Sequence, residues 1–372
     1  VRKLNYIALC SIGLEKILSN ELKRLNYKIE NANNGMVEFS GKVYDYYKLN
    51  LKLRTAERIF IKIAEFNAES FDDLYDGIMN LDLSYYFPKN GKIIVDKVRT
   101  SKSILYNQSV IQSIIKKAII EKLKKEYKIN IYNEETGIYK LRVYVKNNIV
   151  TLTLDTTGEG LHRRGYRKLV SEAPLRETIA AAMVLKAGWK RKYVLIDPFC
   201  GSGTIPIEAA MYGINMDPGI YRRFSFETWS NFDEKKFVEY KKESLEIIKY
   251  GELKLFGFDK NFKMIEIARK NAEIFKLNKF IRFEKRNMES IKLDYSEGYI
   301  ITNPPYGERL KDKAHAEKIY EQMRYLRKTF PYFNYSIITS HENFEAFFGK
   351  KANKKKKIIN GKQILYIYEY KS

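Results

Sequence analysis

Cysteine, histidine and long apolar runs are scarce in this chain, and each scarcity closes off a class of function. The two cysteines, Cys10 and Cys200, are far apart and neither has a partner at CxxC distance, so no disulfide framework is indicated and a reducing compartment, the cytoplasm, is expected. The three histidines, His162, His315 and His341, are scattered without metal-ligand spacing, and no structural or catalytic metal is expected. No apolar run approaches the roughly 18 residues needed to cross a bilayer. The first apolar stretch, YIALCSIGL, is stopped by Glu15 and Lys16, which leads us to expect a soluble protein without a signal peptide or membrane partner.

The composition is otherwise that of a folded globular protein, with 45% apolar and 30% charged residues. At about 150 residues per domain, 372 residues suggest two or three domains. Lys and Arg total 68 against 45 Asp and Glu, a net charge of +23, and a field of that sign attracts phosphate-rich polymers. Nucleic acid is the leading partner on this ground. Lysine enrichment from an AT-rich genome accounts for the same excess without one.

The first 60 residues read strand, helix, hairpin, helix, with Leu14, Ile17, Leu18, Leu22 and Leu25 at helical spacing. Between 61 and 155 a second mixed unit follows. RIFIKIAEF and KIIVDKVRT read as strands around the helix FDDLYDGIMN, a long amphipathic helix covers about 107–127, and KNN separates two alternating runs as a hairpin. Residues 155–175 are richer in Gly and Arg and lack a sustained period, which places a domain junction there. A helix over about 175–187 leads into strands alternating with helices, the pattern of a parallel sheet covered on both faces. The chain closes on two strand runs around Asn360-Gly361, so the last strand is expected to run antiparallel to its predecessor.

Chemistry collects at the ends of these strands. VLIDPFCGSGTIPIEAA puts a strand ending at Asp197 before a turn with Gly201 and Gly203 and a helix starting near Thr204. Glycines let a ligand approach the backbone, and a helix start offers free N–H groups, so the stretch reads as a cofactor cradle or, more plainly, as a tight turn. The third glycine of a dinucleotide fingerprint is replaced by Pro206 and no Walker lysine follows, which disfavours a dinucleotide or ATP. The next strand ends at Asp259, where an acid can bind both hydroxyls of a ribose or cap the helix NFKMIEIARKNAE. Asp259 lies 56 residues beyond Gly203, and an inserted segment with Arg222, Arg223, Phe224, Phe226 and Trp229 accounts for the gap. Asn287 or Met288, after a third strand, is placed beside an adenine ring.

The fourth strand runs into Asn303-Pro304-Pro305-Tyr306. Two prolines fix the backbone and remove amide donors, which leaves the Asn303 side chain and the Pro304 carbonyl as rigid acceptors suited to an exocyclic amine. Accepting both amine hydrogens localises the nitrogen lone pair and aims it at an electrophilic methyl group, while the Tyr306 ring stacks on the base. Alignment of reactants gains roughly 7–11 kcal/mol, which suits methyl transfer from a sulfonium.

In this order, DPFCGSGT, GFD and NPPYGERL resemble a class I S-adenosylmethionine-dependent methyltransferase of the amino-methylating Asn–Pro–Pro–Tyr type. LDTTGEGLHRRGYR, APLRETIAAAM and YRRFSFETW resemble the THUMP-domain RNA methyltransferases that modify guanine N2 in 23S ribosomal RNA. The resemblance covers nearly the whole chain. It implies a ferredoxin-like module over 1–60, a THUMP RNA-binding module over 61–155 and, over 156–372, a Rossmann-like α/β methyltransferase sheet with an antiparallel last strand. It also implies S-adenosylmethionine as cofactor and RNA as partner. Asp197, Phe199, Gly201 and Gly203 would line the methionine end of the cofactor, with Pro198, Cys200, Ser202 and Thr204 in the same turn, and Asp259 its ribose, with Lys260 beside it. Asn303 and Tyr306 would hold the base, with Pro304 and Pro305 completing the catalytic corner. Arg163, Arg164, Arg167 and Lys168 are assigned to RNA. Many relatives carry Asp where this chain has Asn287.

The reading is methyl transfer to the N2 amine of a guanosine in 23S ribosomal RNA, with a tRNA guanosine as runner-up. DNA adenine methylation shares the corner chemistry but not the N-terminal half. A non-catalytic ribosome-assembly factor is the alternative from another class, and the intact Asp197, Gly201, Gly203, Asp259 and Asn303 speak against it. Cys200 lies in the cofactor turn and away from the corner, so covalent catalysis is not expected.

Overall fold

Local turn and cap chemistry fixes the N-terminal half. The computed structural model describes residues 3–167, 175–306 and 310–372, without the side chains of 310–312. The half comprises β1 (Lys3–Leu9), α1 (Glu15–Arg24), β2 (Ile29–Asn33), β3 (Met36–Lys42), α2 (Asp45–Lys52), β4 (Arg58–Asn67), α3 (Phe71–Met79), β5 (Gly91–Ser101), α4 (Gln108–Tyr127), β6 (Thr136–Lys146) and β7 (Ile149–Asp155). In α4 the Asn107 side chain caps the start by accepting from the Val110 amide at 3.2 Å. Its buried stripe, Ile111, Ile115, Ala118, Ile119 and Leu123, follows the helical repeat and faces the core. The β6–β7 hairpin turns through Asn147 and Asn148 at φ 50° and 63°, the positive pair that matches strand twist in a two-residue turn.

These seven strands form one sheet in the order β2-β3-β1-β4-β7-β6-β5. The expected division at residue 60 falls inside β4, which pairs with β1 through Arg58–Lys62 and with β7 through Phe60–Asn67. The strand is shared by both units, so a cut there would strip hydrogen bonds from each.

The second half holds α5 (Glu177–Ala187), β8 (Val194–Asp197), α6 (Thr204–Gly213), α7 (Glu234–Glu246), β9 (Leu255–Asp259), α8 (Phe262–Ile274), β10 (Ile281–Lys285), β11 (Gly298–Thr302), α9 (Leu310–Gln322), α10 (Arg324–Thr329), β12 (Phe333–Thr339), α11 (Phe344–Phe348), β13 (Lys354–Asn360) and β14 (Gln363–Tyr370). Its sheet runs β10-β9-β8-β11-β12-β14-β13, with the first five strands parallel and β14 antiparallel to both β12 and β13. The final hairpin loop is Gly361-Lys362, one residue later than the Asn360-Gly361 signal suggests, because Asn360 pairs with Gln363 and Gly361 takes the positive φ of 64°. Chain order reverses at β8, which has β9 on one side and β11 on the other. Ligands bind in open α/β sheets at the carboxyl ends beside such a switch point.

The inserted segment after α6 joins the two halves. Phe226 packs against Tyr46 and Tyr47 at centroid distances of 5.2 and 4.8 Å, and Trp229 stacks on Tyr139 at 5.3 Å. Both rings are buried, and each such ring contributes about 1.5–3 kcal/mol by leaving water. Lys52 pairs with Asp217 at 2.9 Å, and Arg222 donates to the Gly160 carbonyl at 2.7 Å. The arginines and aromatics that make this segment conspicuous in sequence are thus largely spent on docking, with Arg223 the exposed exception.

Candidate functional site

The turn after β8 is built around Asp197. Its Oδ1 accepts from the Phe199 amide at 3.1 Å and from the Thr302 hydroxyl at 2.7 Å, tying the end of β8 to the end of β11. Asp197 is buried, and burial, reinforced by the charge of Asp259, pushes its carboxyl up to about 7 against those two stabilising bonds. The side chain expected beside a cofactor thus also braces the two strands. Pro198, Cys200, Ser202 and Thr204 are buried as well, whereas Phe199 and Gly201 are half-buried and Lys260 is exposed. Burial pushes the Cys200 thiol up, which keeps it protonated and in keeping with a non-nucleophilic role.

The turn fits the cofactor that the sequence implies. Gly201 has φ +49°, and a Cβ there would meet nothing within 4 Å, so its outer side is open. Gly203 has φ +85°, and a Cβ there would come within 3.0 Å of Ala268 and Phe283, so helix α8 and strand β10 press on the turn from behind. No side chain caps α6, whose first N–H groups start at this turn. Asp259 accepts from the Gly201 amide at 3.1 Å through Oδ2 and from the Asn261 amide at 2.8 Å through Oδ1. Each oxygen keeps a second lone pair for a ribose hydroxyl. The cap of α8 is Asn261, accepting from Lys263 at 3.0 Å, and not Asp259. Beyond β10 a cavity of about 430 Å³ is lined by Lys285, Arg286, Asn287 and Ser290. Met288, the other residue placed near the adenine, is buried in the core with Phe258.

At the end of β11, Asn303 is half-buried, Pro304 buried, Pro305 exposed and Tyr306 half-buried. The Tyr306 hydroxyl donates to Asn303 Oδ1. Tyr320 on α9 supports the corner from below. Its hydroxyl donates to the Pro305 carbonyl at 2.8 Å and is joined at 2.9 Å to Thr339, whose own oxygen accepts from the His341 amide at 3.0 Å. Tyr320 is fully buried, and burial pushes its hydroxyl up to about 12, so it stays a donor. Thr302, Tyr320 and Thr339 are absent from the sequence reading. Thr302 is flagged by its place next to the corner, but nothing local marks Tyr320 or Thr339.

The basic linker divides. Arg163 is exposed and pairs with Glu159 at 2.5 Å. Arg164 is 1% exposed, donates to the carbonyls of Leu161 and Arg54 and lies 3.4 Å from Glu208. Its assignment to RNA is corrected: a buried guanidinium that joins the two halves of the molecule meets no phosphate. Arg167 donates to the Leu175 carbonyl at 2.8 Å and to Thr204 Oγ1 at 2.7 Å, which anchors the linker on the first residue of α6. Lys168, and with it most of EAPL, lies outside the described residues.

Three regions of the chain match known families: residues 5–60 the RlmL ferredoxin-like domain, 68–155 the THUMP domain, and 164–367 the RMKL-like methyltransferase domain. The last covers more than half of the chain. It belongs to the RMKL-like methyltransferase family. Within that family it is 37% identical over its full length to "Putative RNA methyltransferase YpsC" of Bacillus subtilis (strain 168), covering 96% of that protein. It is 32% identical, over 96% of its own length, to "Ribosomal RNA large subunit methyltransferase K/L" of Psychromonas ingrahamii, of which it spans 49%. The chain thus spans about half the length of the K/L relatives it matches. Among solved structures, "SMU.472, a putative methyltransferase complexed with SAH" superposes with a TM-score of 0.94 at 35% identity, covering 100% of this chain and 99% of that one. SAH is the product left when S-adenosylmethionine gives up its methyl group, so this RMKL-like chain is an S-adenosylmethionine-dependent methyltransferase. Among the described residues no helix is long and apolar enough to cross a membrane, and no group of three potential metal ligands occurs.

Proposed function

We propose that this chain methylates the exocyclic N2 amine of a guanosine in large-subunit ribosomal RNA. The observation that carries the reading is the juxtaposition of two rigid features across the β8–β11 pair, the open Gly201 turn and the Asn303 corner, tied together by the Asp197–Thr302 hydrogen bond. Similarity to the K/L relatives supports the choice of ribosomal RNA, and the THUMP match supports RNA over DNA.

In this reading Gly201, Gly203 and the start of α6 hold the methionine end, Asp259 the ribose, and Asn287 the adenine side of the cavity. When bound, S-adenosylmethionine supplies an electrophilic methyl carbon on a sulfonium. Asn303 Oδ1 and the Pro304 carbonyl accept the two amine hydrogens of the base, and Tyr306 stacks on its ring. Held in this way, the amine nitrogen would face the methyl carbon that the cofactor would supply, and Asn303 and Pro304 would orient its lone pair toward it. No side chain must act as a strong base, so placement dominates the rate. Residues 1–60 and 61–155 present the RNA, with Arg163 at the entrance.

The test is transfer of a heavy-isotope methyl group to protein-free large-subunit RNA, small-subunit RNA, tRNA and DNA, read by nucleoside mass spectrometry. The label is expected as N2-methylguanosine in the large-subunit fraction alone. Label in tRNA guanosine would shift the substrate, and label on DNA adenine would overturn the reading.

A further inference from the structure

On the sheet edge opposite the corner, a cavity of about 360 Å³ is lined by Arg324, Arg327, Lys328, Lys350, Lys371 and Tyr370. It opens where β12 begins, at the Tyr335–Tyr370 pair, whereas the corner is supported by Thr339 at the other end of that strand. At about 3.3 Å per residue, Tyr335 and Thr339 lie roughly 13 Å apart along β12. The five cations come from α10, the turn after α11 and the chain end, and among the described residues none forms an ion pair. Two of them are pre-positioned. Arg324 donates to the Phe347 carbonyl at 2.7 Å and Arg327 to the Phe348 carbonyl at 2.9 Å, which fixes both guanidinium groups at the end of α11 and leaves further N–H groups of each without a protein partner.

A second observation is independent of the charges. Tyr370 is 2% exposed, and its hydroxyl is buried without a hydrogen-bond partner. A buried donor without an acceptor costs about 1–3 kcal/mol, and Tyr370 is among the residues that line this cavity. The carboxylate whose charge acts on Tyr370 is Glu345, and its Oε1 is engaged by the Ala352 amide at 2.5 Å. Two rings adjoining these residues in sequence, Tyr325 and Tyr332, are 43% and 69% exposed. Unpaired cations suit a polyanion, whose phosphates meet the charges.

We propose that this cavity is a second RNA contact, holding backbone phosphates of the substrate on the sheet edge away from the methyl-transfer corner. The proposal rests on RNA being the substrate. It extends the footprint from the N-terminal units around to the far side of the catalytic sheet, so that the RNA is gripped on both sides of the corner.

The test uses the full chain and protein-free large-subunit ribosomal RNA. In one variant Lys328→Glu, Lys350→Glu and Lys371→Glu are combined, which spares the two arginines that cap α11. An equal-charge control combines Lys235→Glu, Lys242→Glu and Lys249→Glu, around α7. The cavity variant is expected to bind RNA about tenfold more weakly, with a salt dependence shallower by about 2 in log–log slope for three lost phosphates. Its melting temperature and S-adenosylmethionine affinity should match those of the parent. Equal weakening in the control would show that only net charge matters and would overturn the proposal. Unchanged RNA affinity together with calorimetric binding of pyrophosphate by the parent would overturn it in favour of a small-anion site. If the parent chain binds no RNA at all, the RNA reading itself fails and this proposal with it.

Discussion

Tyr306 donates its hydroxyl to Asn303 Oδ1 across the two prolines that separate them. The acceptor assigned to the target amine is therefore already engaged through one lone pair by the corner's own side chain, and the amine shares that oxygen or takes the hydroxyl's place. Removing the hydroxyl and removing the ring thus have different consequences. Tyr306→Phe frees Asn303 and keeps the stacking surface, so kcat/KM should stay within about threefold of the parent. Tyr306→Ala loses a stacking contact of about 1–3 kcal/mol and should lower kcat/KM by about 10- to 100-fold. Steady-state transfer kinetics on both variants check the distinction.

Tyr320 is a positioning residue, since it reaches the reaction only through the Pro305 carbonyl. Tyr320→Phe removes a hydrogen bond of about 1 kcal/mol from the corner and leaves the cradle untouched. The expectation is a kcat lowered about five- to tenfold with an unchanged calorimetric affinity for S-adenosylmethionine, and a similar effect in Thr339→Val, which loses the next link. A loss confined to thermal stability would show that the bond is merely structural.

The carboxyl of Asp197 gives a pH signature in the cofactor-free protein. Its value in the folded chain, about 7, lies above its ordinary value of 3.8, so the folded state holds the proton more tightly than the unfolded one. The resulting stabilisation is full below about pH 4 and is lost as pH rises through 7. Asp197→Asn keeps an oxygen for Phe199 and Thr302 and removes the titration. Relative to the parent, its melting temperature should therefore rise between pH 5 and pH 8. A constant difference across that range would contradict the burial argument.

Arg164 and Arg163 are neighbours with opposite fates. Arg164→Ala strands the buried Glu208 carboxylate 3.4 Å away and should cost about 3–5 kcal/mol in denaturant unfolding. Arg163→Ala breaks only an exposed pair, worth about 0–1 kcal/mol, and should leave stability unchanged.

That pair also shows where sequence stops being informative. Alternating runs, hairpin residues and the Gly and Pro–Pro turns are local signals, and they place β8 to β14, the cradle and the corner within a few residues. Whether an arginine in LHRRGYR faces water or Glu208 depends on a helix 44 residues away. Tyr320 is likewise one tyrosine among 29 until the fold brings α9 under Pro305. The aromatics of the inserted segment were visible, but their partners Tyr46, Tyr47 and Tyr139 lie in the other half of the chain. Interactions across a domain interface leave no periodicity to read.

Methyl transfer to large-subunit RNA by the Asn303 corner is tested by nucleoside mass spectrometry of large-subunit RNA, small-subunit RNA and tRNA from a strain lacking this gene, complemented with either the parent or Asn303→Ala. N2-methylguanosine is expected to fall by about one site per molecule in the large-subunit fraction alone, and the parent is expected to restore it while Asn303→Ala does not. Full restoration by Asn303→Ala, or no change in any RNA fraction, would contradict this reading.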